Sequence, residues 1–292
     1  MAQVGDEIIK FDPKTQALFN HKGYRIEKKL GAGAFGQVYK AIDKNGQALA
    51  VKVMDLSAMS GSFIDKFLPR ELSALIMSKH INLINVYEIF RASSKIFIFM
   101  EFASNGDIAA YVKKNETVVD SLMCRWFLQI CCGLLFLHET LLSSHRDIKL
   151  DNMLLDSQYI AKLTDFGFAK VSASTEQRTV VMSRTFCGTC PYKSPQILRR
   201  QSYNPFKADV WSMAVSFYIM LHRRFPFHFQ ERETHLKEID DYPAFIRSRY
   251  RTNLPPVARN LFDEMFQPDE IKRSWIGTVL NNQWLINMAK LQ

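Results

Sequence analysis

Eight residues, His145-Arg-Asp-Ile-Lys-Leu-Asp-Asn152, constrain this chain more than any other stretch. They place a carboxylate (Asp147), an ammonium (Lys149) and a carboxamide (Asn152) within a few positions of one another. A second carboxylate follows in Asp165-Phe166-Gly167, thirteen residues after Asn152. A base for a hydroxyl proton, a lysine for a phosphate and an Asn/Asp pair for magnesium are what transfer of a nucleotide γ-phosphoryl requires. A lone HRD triplet is a weak signal. HRDxKxxN followed by DFG is a strong one, because two motifs must agree in order and spacing.

The region upstream supplies a cover for phosphates. Leu30-Gly-Ala-Gly-Ala-Phe-Gly-Gln-Val38 sets Gly31, Gly33 and Gly36 in GxGxxGxV spacing. GxGxxG alone is ambiguous, since dinucleotide-binding folds use it to turn a strand into a helix. Here Val38-Tyr-Lys-Ala-Ile42 alternates and is β-branched, which predicts a second strand instead. Asn45-Gly46 signals a hairpin, and Ala48 to Val53 reads as the third strand. Glycines in such a hairpin let backbone N–H groups approach phosphates. Lys52 on the third strand reads as phosphate-facing, with a surface lysine as the plain alternative. Ile64 to Lys79 repeats apolar residues at helical spacing, and the regular helix is expected to begin near Pro69. Glu71 then lies in its first turn as the candidate ion-pair partner of Lys52, although Lys66 and Arg70 compete for it. Val86 to Arg91 and Lys95 to Phe102 read as two more strands. Glu101 to Asp107 breaks that pattern and is expected to be a hinge. Its backbone would face an adenine edge, and Asp107 a ribose hydroxyl.

Beyond the hinge the pattern turns helical, over Asp120 to Glu139, Asp209 to His222 and Leu254 to Phe266. A short hairpin is expected from Met153 to Thr164, and Ile271 to Ile286 closes the domain. Residues 170–193 lack periodicity, which inside a compact domain marks a functional segment. Residues 1–23 read as an N-terminal extension, a loose polar arm in which Phe11, Leu18 and Phe19 could dock on the body. At 292 residues, 47% hydrophobic and 23% charged, the chain fits one bilobal domain or two modest ones. No membrane span is expected, because Leu122 to Leu137 is interrupted by Arg125 and Gln129. The first ten residues carry Asp6 and Glu7 and no apolar leader core, so a cytoplasmic or nuclear location is expected. The net charge of +9 is scattered, which predicts a solvated basic surface and no nucleic-acid partner. Cys124 and Cys131 sit seven apart in a helical pattern and read as core. Cys187-x-x-Cys190 imitates a zinc or redox pair, but no second pair or nearby His completes a metal site. Reduced thiols are expected.

With these motifs in order, residues 24 to about 285 resemble a eukaryotic protein kinase domain. The resemblance implies an α+β, bilobal fold: a small antiparallel-sheet lobe with one main helix (about 24–100), a hinge (about 101–107) and a larger, mainly helical lobe (about 108–285), with a short tail over 286–292. Lysine at position 149 resembles serine/threonine kinases. Lys66-Phe-Leu-Pro-Arg-Glu71 and Arg184-Thr-Phe-Cys-Gly188 resemble the testis-specific serine/threonine kinases of the calcium/calmodulin-dependent-like group, which implies a male-germline role. ATP and magnesium are the cofactors implied. The nucleotide would meet Leu30, Gly31, Ala32, Gly33, Ala34, Phe35, Gly36, Gln37, Val38, Ala50, Lys52, Glu101, Ala103, Asp107 and Leu154. Asn152 and Asp165 would ligate the metal. Asp147 would serve the hydroxyl, Lys149 the γ-phosphate, and Lys52, held by Glu71, the α and β phosphates. Arg146, Phe166, Gly167 and Asp209 match the family's structural positions. Thr185 matches the activation-loop site that is phosphorylated, four residues before Thr189, and its phosphate would pair with Arg146. Asp107 and Asp151 could attract a basic residue upstream of the target. The implied partners are Ser/Thr-bearing protein substrates and an activating kinase or chaperone, and the chain is expected to be a monomer.

One departure stands out. The family's Ala-Pro-Glu is Ser194-Pro195-Gln196 here, opposite the matching Arg273. An amide accepts a hydrogen bond but forms no ion pair, so a loss of roughly 1–3 kcal/mol and a looser substrate segment are expected. A weakly active kinase or pseudokinase scaffold is therefore the alternative. A dinucleotide-binding oxidoreductase remains as a third reading, and it requires strand, loop and helix at Gly31.

Overall fold

The computed structural model describes residues 11–33, 36–58, 79–174 and 179–291. Its contacts divide the chain into two units, Met1–His80 with Ile84–Ser104, and Ile81–Leu83 with Asn105–Gln292. One unit is built on a sheet and the other on helices, which is the α+β fold expected. The division falls between Ser104 and Asn105.

The smaller unit is one antiparallel sheet in the order β1-β2-β3-β5-β4. Its strands are β1 (Arg25–Gly33), β2 (Gly36–Ile42), β3 (Ala48–Asp55), β4 (Val86–Ala92) and β5 (Lys95–Glu101). Gly33 pairs with Gly36, so the glycine-rich run closes a hairpin and no helix follows it. This removes the dinucleotide-binding reading. Asp43 folds the next turn, its carboxylate accepting the N–H groups of Asn45 and Gln47 at 2.8 Å each, while Gly46 takes a φ of +81°. Alternation sorts the side chains by face. Leu49, Val51 and Val53 of β3 join Phe97 and Phe99 of β5 in one aromatic-rich cluster. Met54, Ile96 and Ile98 form another.

The loose arm expected ahead of residue 24 is corrected by a helix, α1 (Pro13–Lys22), while the docking foreseen for Phe11 and Phe19 is found on the aromatic cluster of the sheet. Asp12 caps it, its carboxylate accepting from the Thr15 N–H at 3.1 Å and hydroxyl at 2.6 Å. Gly23 ends it in the left-handed conformation. The helix stays because Phe19 is fully buried, edge-on to Phe97 with ring centroids 5.0 Å apart. Lys22 pairs with Glu88, which also accepts the Tyr24 hydroxyl at 2.8 Å. The sequence missed the helix because Ala17, Leu18 and Phe19 are consecutive, and one short apolar run makes no periodic stripe. The helix expected over Ile64 to Lys79, with Glu71, lies outside the described residues.

The larger unit forms around α3 (Asp120–Leu135) and α5 (Pro205–His222), whose Phe127 and Phe217 stack at 4.1 Å. A short helix, α2 (Ile108–Lys114), precedes α3. A π-helical turn, Phe136–Thr140, extends α3. Gly133 is required there, because a Cβ would lie 2.7 Å from the Asn82 carbonyl oxygen. Contrary to expectation, Asp120–Thr140 is long and apolar enough to cross a membrane, with mean hydropathy 1.4. Its most apolar window is 61% buried within the unit, so the hydrophobicity serves a core. Cys124 and Cys131 lie in that core. Two-residue β6 (Ser143–Ser144) pairs with β9 (Lys170–Val171), and β7 (Met153–Leu155) with β8 (Ala161–Leu163), the hairpin expected. Helices α4 (Pro195–Leu198), α6 (Arg232–Asp240), α7 (Ala244–Ser248), α8 (Pro256–Met265), α9 (Ile276–Leu280) and α10 (Gln283–Lys290) complete it.

This packing has two measurable consequences. Phe19→Ala should destabilise the smaller unit by about 3–5 kcal/mol, read as a shift in urea unfolding, the cost expected for truncating a fully buried phenylalanine. Burial lowers the pKa of both His222 and His235 from 6.5 to about 4. Between those values the unfolded chain binds more protons, so stability is full above pH 6.5 and falls as pH drops toward 4. Thermal melts across that range should show the decline, and His235→Leu should flatten it.

Candidate active site

The site in the larger unit is built from one buried carboxylate. Asp209, on α5, is 1% exposed. Its Oδ1 accepts the Arg146 N–H and its Oδ2 the His145 N–H, both at 2.8 Å. The His138 Nε2, carried by the π-turn, donates to the same Oδ2 at 2.9 Å. Arg146 has a φ of +66°, an uncommon conformation for a residue with a side chain. Two charge-assisted bonds to adjacent amides hold the chain in that conformation.

That bend sets the direction of the catalytic loop. The Asp147 N–H donates to His145 Nδ1 at 3.3 Å, and His145 Nε2 lies 3.0 Å from the Thr164 carbonyl oxygen. With Nδ1 accepting from Asp147 and Nε2 donating to Thr164, the ring joins the loop to the residue ahead of Asp165. Phe166 is buried against the same ring, centroids 5.4 Å apart. Asp165 has a φ of +61°. Asn152 is buried, and its amide donates to the Asp147 carbonyl at 2.8 Å and to Asp147 Oδ2 at 3.3 Å. With its nitrogen engaged, Asn152 presents its Oδ1 as the acceptor, the hard oxygen donor that magnesium selects.

Asp147 is the hub. Its Oδ1 accepts both the Thr189 N–H (3.0 Å) and the Thr189 hydroxyl (2.8 Å). Lys149 Nζ donates to Asp147 Oδ2 at 2.9 Å and to the Thr189 hydroxyl at 3.0 Å. The sequence brought Thr189 in only as an activation-loop residue, and the structure places it on the base. A clue was present in Gly188, which has a φ of +91° and whose Cβ would lie 2.8 Å from the Arg146 carbonyl oxygen. Only glycine lets the segment come this close. His138 left no such clue. Thr185 is exposed, and its carbonyl accepts the Tyr203 hydroxyl at 2.8 Å. Arg146 is buried, donating from Nε to the Phe168 carbonyl at 2.5 Å, while its Nη1 has no partner among the described residues.

Near the hinge, Asp107 caps α2, accepting from the Ala110 N–H at 2.7 Å, and bridges to Leu154 of β7. In the smaller unit, Lys52 lies opposite Val38 on one side and Ile98 on the other, with Ala50 one register step away. Glu101 ends β5 and accepts the Asn85 N–H at 3.3 Å. Leu30 and Gln37 are exposed on the hairpin. Two glycines of the run have different reasons. A side chain on Gly36 would strike the Val53 carbonyl, so β2 and β3 demand it. A side chain on Gly31 would meet nothing within 4 Å among the described residues, so their packing does not demand it. Ala34, Phe35 and Glu71 lie outside the described residues.

Residues 24–285 match the family model for the protein kinase domain. The chain belongs to that family. Among its relatives is the human "Testis-specific serine/threonine-protein kinase 4", 32% identical over 98% of this chain and 90% of the relative. The human "Testis-specific serine/threonine-protein kinase 3" is 34% identical over 90% of this chain and 96% of the relative. "CBL-interacting protein kinase 26" of Oryza sativa subsp. japonica is 30% identical, spanning 89% of this chain and 52% of the relative.

The departure at Gln196 has a defined geometry in this kinase. Gln196 Oε1 accepts from Arg273 Nη2 at 3.0 Å, and its amide donates to the Pro268 carbonyl at 2.6 Å. The second bond is one a glutamate could not make, and it offsets part of the lost ion pair. Lys207 is also buried here, donating to the Arg273 carbonyl and lying 4.1 Å from the Trp275 ring centre. Burial, then the neighbouring Arg273 charge, lowers the Lys207 pKa to about 8. Gln196→Glu should raise stability by about 1 kcal/mol, the charge-assisted bond exceeding the amide bond it replaces. Denaturant unfolding would measure the difference. It should be larger below pH 8, where Lys207 is charged, than above it.

Proposed function

We propose that this protein kinase transfers the γ-phosphoryl of ATP to serine and threonine hydroxyls of protein substrates. The observation that carries this reading is the meeting of Asp147, Lys149, Asn152 and a threonine hydroxyl within hydrogen-bond reach. Thr189 bonds both groups at once, which supports a carboxylate and an ammonium held in place to act on a hydroxyl. Asp147 accepts or orients the proton of the incoming hydroxyl. Lys149 neutralises charge beside it. Asn152 Oδ1 and the Asp165 carboxylate are the oxygens that would hold magnesium, which when bound offsets charge on the phosphate oxygens. Lys52 and the Gly31–Gly36 hairpin of the smaller unit are the groups suited to the phosphates, and Glu71 is the proposed partner of Lys52.

The curated relatives carry serine/threonine and testis-specific in their names, which favours Ser/Thr substrates and a role in male germ cells for this chain. Thr185 is the proposed phosphorylation site, an exposed hydroxyl on the segment anchored through Tyr203 and Thr189. Arg146, whose Nη1 has no partner among the described residues, would receive the phosphate. An activating kinase or chaperone, a monomeric state and a cytoplasmic or nuclear location complete the proposal. The intact group around Asp147 favours turnover over a scaffold role, since Gln196 still holds Arg273.

Asp147→Asn should lower transfer from radiolabelled ATP to a generic basic protein by about 10²–10⁴-fold. It should leave folding intact, because Asn keeps the shape. Equal rates for the two proteins would remove the enzyme reading. Mass spectrometry of the protein with and without ATP should show phosphate at Thr185.

A further inference from the structure

The cysteine pair of the substrate segment remains without a role. Cys187 and Cys190 enclose Gly188 and Thr189, the two residues that approach the Arg146 backbone and the Asp147 carboxylate. Both thiols are free. Cys190 is exposed, at the start of a one-turn helix, and Cys187 is half-buried. Cys187 lines a small cavity of about 10 Å³ shared with Arg146, Asp147, Gly188 and Thr189. Burial raises the Cys187 pKa, and the nearby Arg146 charge opposes the rise. An accessible thiol with a second one three positions away is the arrangement of a reacting and a resolving cysteine.

We propose that Cys187 and Cys190 form a reversible disulfide that pulls Thr189 off Asp147 and stops phosphoryl transfer. The oxidant is a peroxide. The Cys190 thiolate attacks one peroxide oxygen, the O–O bond breaks, and hydroxide leaves to take up a proton. Cys190 is then a sulfenic acid. The Cys187 sulfur attacks the Cys190 sulfur, the S–O bond breaks, and the departing hydroxide takes the Cys187 proton. Two electrons have passed from the sulfurs to peroxide, and two waters have formed. A small thiol returns the pair to its reduced state by exchange.

The inhibition comes from the backbone. Thr189 is extended, at φ −83° and ψ 127°, and no backbone bond from Cys190 to Cys187 closes a turn across it. A disulfide requires Cα atoms roughly 4.4–6.8 Å apart. Closing the ring constrains the backbone of Gly188 and Thr189 between the two sulfurs, and both Thr189 bonds to Asp147 lie on those residues.

The switch rests on the kinase reading, so its test has two readouts. The purified full chain is treated with hydrogen peroxide and then with dithiothreitol. Peptide mapping should find Cys187 joined to Cys190, with two hydrogens lost, whether or not the protein turns over ATP. Activity should fall about tenfold or more, as expected for losing hydrogen bonds to a charged group, and return with dithiothreitol. Cys190→Ser and Cys190→Ala should keep the reduced activity and resist peroxide. Peroxide sensitivity that persists in both variants overturns the proposal, as does a mapped disulfide that leaves activity unchanged. Oxidation confined to Cys132 also overturns it. A reduced protein with no activity counts against the kinase reading, while the peptide map still decides whether the disulfide forms.

Discussion

A single buried carboxylate organises the chemistry of this chain. Asp209 sits in the core of the larger unit and satisfies two consecutive amides and one imidazole. A buried carboxylate is expensive unless it is fully hydrogen-bonded, and here those bonds also force Arg146 into a left-handed bend. The bend aims Asp147 at Thr189 and Lys149. Without that anchor the catalytic loop would relax and the carboxylate would lose its direction. Helix α5 is accordingly buried along nearly its whole length, since it carries the anchor as well as the core.

The second layer is held by close backbone approaches rather than by charge. Gly133 admits the Asn82 carbonyl, Gly36 admits Val53, and Gly188 admits Arg146. Each replaces a side chain with a backbone contact that a methyl group would prevent. The substrate segment depends on the last of these and on Thr189, so its geometry is coupled directly to the base. Gln196 adds a support from the other end, holding Arg273 and Pro268 with one amide group.

Much of this was legible in advance. Strand propensity made the sheet legible even though β3 and β5 are buried on both faces, and the Asn45-Gly46 and Met153–Thr164 hairpins arise from turn chemistry and spacing. The positions of Asp147, Lys149 and Asn152 within one loop are fixed by sequence distance alone. Helix α1 was misread because its stability comes from Phe19 on a distant aromatic face and from a cap and ion pair. The apolar length of Asp120–Thr140 was underestimated because Arg125 and Gln129 leave the core face uninterrupted. Arg125 reaches the carbonyls of Ala289 and Leu291, and Gln129 accepts the Ala161 N–H.

By itself the sequence determined the class of chemistry and the alternation of strand and helix, because residue type and short-range period carry both. Tertiary structure decided which groups meet the base. Thr189 reaches Asp147 across 42 positions, Asp209 reaches Arg146 across 63, and His138 reaches Asp209 across 71. Contacts of that separation are set by packing in three dimensions, and they leave no periodic trace in the chain.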